Sequence, residues 1–157
     1  IPEAELNLQF IEFDKDVDAA LNKMTQNELE AVALHEIGEF VASQELGESW
    51  RALIINLPRS RAEIMARAVK DLLADCLSTL PGLIENYNPA SLHFYAANLV
   101  SMRKELFPSF QDAYQTWITT NDLKPLKRLV ATGVKHWASL ANDMLDCHTK
   151  EGGGNLT

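Results

Sequence analysis

Residues 25–47 read TQNELEAVALHEIGEFVASQELG, and the fold class turns on this stretch. Thr25 and Glu28 stand three apart in the pattern of a capping box, in which each side chain reaches the other residue's free backbone N–H. Met24 and Leu29 hold the positions of the accompanying hydrophobic staple. A helix is therefore expected to start just after Thr25. It should end near Leu46, with Gly47 as the left-handed residue past the last turn. At a helical 100° per residue, Leu29, Ala33, Ile37, Phe40 and Val41 share one broad apolar face. Glu28, His35 and Glu39 fall on the opposite side. That side is expected to meet solvent, with the glutamates raising the pKa of His35.

The same punctuation recurs along the chain. Ser49 caps a short helix through Trp50, Leu53, Ile54 and Leu57, which Pro58 stops. Ser60 with Glu63 forms a second capping box and opens a helix to about Leu80, ended by Pro81-Gly82. Asn88-Pro89 starts a helix running toward Phe107, and Pro108 opens the next, through Phe110, Tyr114 and Trp117. Asp122 caps the last, with Pro125 in its first turn and Gly133 as an interior weak point of about 1 kcal/mol relative to alanine. The expected fold is all-α: a single-domain bundle of about six helices over residues 19–149. A short extended, acidic segment (1–18) precedes it, in which Leu6, Leu8 and Phe10 alternate with polar residues. A flexible Gly-rich tail (150–157) follows.

The chain of 157 residues suits one domain, and its 46% hydrophobic content permits a real core. No apolar run approaches the roughly 20 residues that span a bilayer, and no signal peptide is visible. Both ends look cut. Two cysteines, Cys76 and Cys147, are too few for a disulfide scaffold, which points to reduced thiols and a cytoplasmic protein, with a bridge left open. The net charge of −8 is uneven: residues 1–50 hold twelve acids and two lysines, the remainder ten acids and twelve bases. Phosphates would be repelled by the acidic half.

The chemistry-bearing motifs are incomplete. ALHEIGEF (33–40) resembles the His-Glu-x-x-His helix of thermolysin-like and metzincin proteases at His35, Glu36 and Gly38. That resemblance implies a zinc ligand at His35 and a water-polarising Glu36, but Glu39 stands at the second ligand position. Asp14, Asp16 and Asp18 lack the glycine and glutamate of an EF-hand loop. None of the four histidines follows an acid by three residues, as a di-metal carboxylate bundle requires. No Gly-x-Ser-x-Gly elbow is present, and Cys76 lies on an apolar helix face. His93 and His136 read as packing residues with one hydrogen bond each. LGESWRALIINLPRSRAEI (46–64) resembles the second-to-third-helix region of death domains. The likeness covers 19 of 157 residues and implies core roles for Trp50 and Leu53 and an interaction surface of arginines.

These observations favour a non-enzymatic protein-interaction module without cofactor or metal, working through charge-segregated surfaces. The acidic surface would include Glu28, His35 and Glu39. The basic surfaces would include Arg51, Arg59 and Arg61, and then Lys124, Lys127, Arg128 and Lys135 on one face of the last helix. A protein partner is expected, self-association is allowed by the opposed charges, and no membrane contact is expected. Two alternatives stand beside this reading. One is a metal-dependent enzyme with a nonstandard His35/Glu39 site. The other is a nucleic-acid-associated factor using the basic helices.

Overall fold

A computed structural model describes residues 17–154, with side chains through 151. Among these residues the structure is all-α, with no strand. Seven α-helices and one π turn follow in order: α1 Val17–Asn56, α2 Arg61–Ala74, a π turn Asp75–Thr79, α3 Leu80–Glu85, α4 Pro89–Asn98, α5 Ser101–Leu106, α6 Pro108–Thr120 and α7 Lys124–Gly154. The expected extended segment around Leu6 to Phe10 lies outside the described residues, as do residues 155–157 of the tail.

Local signals set most boundaries. Gly47 bends α1 with a φ of 72°, a conformation open to glycine and strained for other residues. The Ser60 hydroxyl accepts the Glu63 N–H at 3.3 Å, and the Asn88 side chain accepts the Ser91 N–H at 3.2 Å ahead of Pro89. Asp122 accepts the Lys124 N–H at 3.0 Å. Asn121 closes α6 in the left-handed region, φ 57°.

Three expectations give way. Thr25 is no cap: α1 is helical from Val17, and the Thr25 hydroxyl bonds back to the Leu21 carbonyl at 2.8 Å. The upstream Ala-Ala-Leu-Asn-Lys-Met run supports helix by itself, and threonine satisfies itself one turn back. The 89–107 helix is two helices, because Leu99 turns into the core at 2% exposure and Ser101 takes a positive φ of 54°. Pro81 does not end its helix either. In the π turn the Leu80 N–H bonds to the Asp75 carbonyl, five residues back. The widened turn restarts the helix with Pro81 in its first positions, where no N–H is needed. Arg61 to Glu85 thus forms one continuous rod.

That rod is the centre of the bundle. Ala66, Val69, Leu72, Leu73, Ala74, Cys76, Leu80 and Leu83 are buried on it. It packs against α1 on one side, against α7 on another, and against α5. Trp50 and Leu53 of α1 are core residues, at 3% and 2% exposure. Phe107, Phe110 and Trp137 close the far side, with the Phe107 and Trp137 rings edge-to-face at 5.3 Å. Gly133 serves as a contact point, since a Cβ there would lie 2.7 Å from the Cys76 sulfur.

The tightest crossing is between α1 and the rod. A Cβ at Gly38 would sit 2.4 Å from the Ala74 carbonyl oxygen. Gly38 and Ala42, one turn apart and both buried, let the two backbones approach at the start of the π turn. Gly38→Ala should lower unfolding stability by about 1–3 kcal/mol through overpacking against backbone, read as a drop in the urea midpoint without a change in slope.

Candidate functional site

The close crossing at Gly38 delivers polar groups to the middle of the rod. Asp75 opens the π turn and is only 1% exposed. Three helices bring donors to its carboxylate. The Tyr95 hydroxyl of α4 donates to Oδ2 at 2.8 Å. His35 of α1 places Nδ1 3.5 Å from Oδ1. Arg103 of α5 places a guanidinium nitrogen 3.9 Å from Oδ2 and anchors itself to the Asn98 carbonyl at 3.0 Å. Contact with Asp75 holds the His35 pKa above its usual value, against the opposing effect of burial. Burial, reinforced by the Asp75 charge, pushes the Tyr95 hydroxyl well above the usual phenol range. The Cys76 thiol is raised by burial to about 12 and is thereby an unreactive core group.

One turn toward the chain start, a second cluster adjoins the first. Lys70 pairs with Oε2 of Glu39 at 3.1 Å, while Oε1 of Glu39 is buried with no partner. Desolvation first, then the Glu39 charge, raises the Asp71 carboxyl to about 6. An Asp71 that keeps its proton is a hydrogen-bond donor toward the Glu39 carboxylate, the arrangement of a carboxyl–carboxylate pair.

His35 and Glu39 therefore do not form the solvated side of α1. They turn toward the rod, where each is engaged by a different partner. Most of the apolar residues expected in the core are outside: Leu29 is 61% exposed, Ile37 55% and Phe40 66%, Ala33 is exposed too, Val41 is half-buried, and Val32 joins the exposed row at 55%. The physical reason is the small-residue line Gly38–Ala42. It allows closer approach than a face of bulky side chains, and the buried acids of the rod need the partners that lie on that line's edge. Glu28 stays exposed beside Val32.

The expected basic residues are all exposed. Arg51 pairs with Glu48 at 3.3 Å and Arg61 with Glu105 at 3.3 Å. Arg59 stands just before the rod, and Lys124, Lys127, Arg128 and Lys135 lie along α7. His93 stacks on Trp117 at 4.8 Å and shares a 2.8 Å hydrogen bond with the Tyr114 hydroxyl. Cys76 is buried, Cys147 is exposed, and both are free thiols. Among the described residues no group of three or more His, Cys, Asp or Glu side chains is arranged to hold a metal ion. No helix there is long and apolar enough to cross a membrane.

Sequence reasoning passed over Asp71, Asp75, Tyr95 and Arg103. A signal existed for one of them: Asp75 interrupts LLADCLSTL, residues 72–80, an otherwise uncharged run in which a charged group must find partners if the helix is buried.

One family model, described as the C-terminal domain of a family of unknown function (DUF6866), matches residues 3–156. No curated protein and no solved structure matches the chain.

The polar cluster sets a pH dependence. Asp71 has a folded pKa near 6 against an ordinary 3.8, so folding is favoured below the ordinary value and that contribution is lost as pH rises through about 6. His35, also raised, contributes stability below its ordinary 6.5 that is lost as pH rises through its folded value. The melting temperature should fall between pH 5 and pH 8. Asp71→Asn should flatten that fall and raise the value at pH 8, as followed by circular dichroism.

Proposed function

We propose that this chain, which belongs to the DUF6866 C-terminal-domain family, is a protein-interaction domain that binds a helix of another protein along the outer face of α1. The observation that carries this reading is the row of large apolar side chains left in solvent on that helix. Leu29, Val32, Ile37 and Phe40, with Ala33 between them, recur at three- and four-residue steps. Such spacing is the seam that a second helix covers by knobs-into-holes packing.

Three considerations support it. The stripe costs solubility and adds nothing to the domain's own core, because the core side of α1 is already filled by Leu34, Gly38, Ala42 and Leu46. Contiguous exposed apolar surface of this kind marks interaction sites far more often than it marks free surface. The platform is also stiff: α1 is locked to the rod at Gly38 and to the loop before α4, where Asn86 and Asn88 both donate to the Glu30 carboxylate at 2.6 and 3.1 Å. A preformed face binds without a large ordering cost. The charged residues, on this reading, steer the partner and the apolar row holds it.

A displayed library of amphipathic helical peptides, panned on the wild-type chain, tests the reading. Enriched peptides should carry apolar residues at three- and four-residue spacing. Phe40→Asp, a change at a 66% exposed position, should weaken them by about tenfold or more while the melting temperature stays within a few degrees. Absence of enrichment, or binders indifferent to Phe40→Asp, would sink it.

A further inference from the structure

Resting on the reading of α1 as a helix-binding face, we infer that the partner helix carries lysine or arginine beside its apolar seam and inserts one aliphatic side chain between Met24 and Phe94. Two independent observations lead there. The first is charge. Residues 17–46 hold six acids, Asp18, Glu28, Glu30, Glu36, Glu39 and Glu45, against the single base Lys23. Glu30 and Glu39 are engaged within the fold. Glu28 and Glu36 are exposed, and with Val32 and Phe40 they form one row: Glu28, Val32, Glu36, Phe40 at successive four-residue steps. A helix laid on this row meets carboxylates between its apolar contacts, so cations on its flanks are favoured and acids are rejected.

The second observation is a recess. Met24, Glu28 and Val32 of α1 face Ala90 and Phe94 of α4 across a cavity of about 180 Å³. Met24 and Phe94 stand 57% and 56% exposed at its mouth. Val32 belongs to both the recess and the outer row, so the two surfaces are continuous. Glu28 lies at the edge of the recess, where a cation next to the inserted side chain would meet it. A mainly apolar pocket at one end of an apolar row is the setting in which a single buried side chain dominates an interface.

A second copy of the same face fits less well. A two-fold pairing sets each residue of one patch against the same patch on its mate. The same acidic face is then brought up to itself, with Glu28 and Glu36 of both copies gathered in one interface and no basic residue of the row to answer them.

The test uses two synthetic helical peptides with one apolar seam, flanked by lysines in one and by glutamates in the other, titrated against the full chain by fluorescence anisotropy at low and high salt. The lysine peptide should bind at least about tenfold more tightly at low salt, with the difference shrinking as salt rises. Glu28→Lys with Glu36→Lys should reverse the preference. An alanine scan of the lysine peptide should find one aliphatic position worth about tenfold, and Ala90→Trp, which fills the recess from an exposed site, should erase that position's effect. Equal binding of both peptides, with Phe40→Asp still disruptive, overturns the charge assignment and leaves the helix-binding face standing. No dominant position overturns the anchor. Failure of both peptides to bind overturns the inference together with the reading beneath it. A concentration-dependent dimer in sedimentation, lost in Phe40→Asp, replaces the basic helix with a second copy.

Discussion

A carboxylate buried at 1% exposure is the constraint around which this bundle is arranged. An ion removed from water costs several kcal/mol unless partners replace its hydration. Asp75 obtains them from three different helices: Tyr95, His35 and Arg103. Each partner fixes a separate element against the rod. The break between α4 and α5 makes sense in this light, since Arg103 reaches Asp75 only after the chain turns at Leu99. The glycine at position 38 has the same logic, since α1 must come close enough for His35 to reach in. Asp71, Glu39 and Lys70 extend the arrangement by one turn and leave a proton-dependent contact between α1 and the rod.

What the sequence shows by itself is the local part. Ser60, Asn88-Pro89 and Asp122 open helices because a side chain satisfies a free N–H a few residues away, and no distant partner has a say. Gly47 ends a helical segment for an equally local reason. The all-α class follows from these marks. The failures are of another kind. Thr25 could cap or sit inside a helix, and only the upstream residues decide. Pro81 breaks a helix unless a wider turn precedes it, and that turn is held by the burial of Asp75, Cys76 and Thr79.

The most instructive case is the orientation of α1. Its residues offer two plausible inner faces. One is bulky, with Leu29, Ile37 and Phe40; the other is small, with Gly38 and Ala42 flanked by His35 and Glu39. Hydrophobic counting favours the first. Close packing and the demands of buried carboxylates on a different helix select the second. Side-chain size sums do not contain that information, because the deciding groups lie some 32 to 40 residues away in the chain. The candidate site was thus half visible: its α1 members were noticed, but placed on the wrong side.

The π turn has an effect on the chain's tolerance of length changes. A turn that spans five residues where an ordinary one spans four holds, in effect, one additional residue within a helix that otherwise advances about 100° per position. Loss of a single residue between Asp75 and Thr79 would close the widened turn and leave Leu80, Leu83 and Ile84 near their present faces, because five residues wound at the wider pitch turn about as far as four in an α-helix. It would also drive the Pro81 ring into the preceding carbonyl. The widened turn is therefore what admits a proline to the middle of a continuous rod, and the additional residue and Pro81 depend on each other.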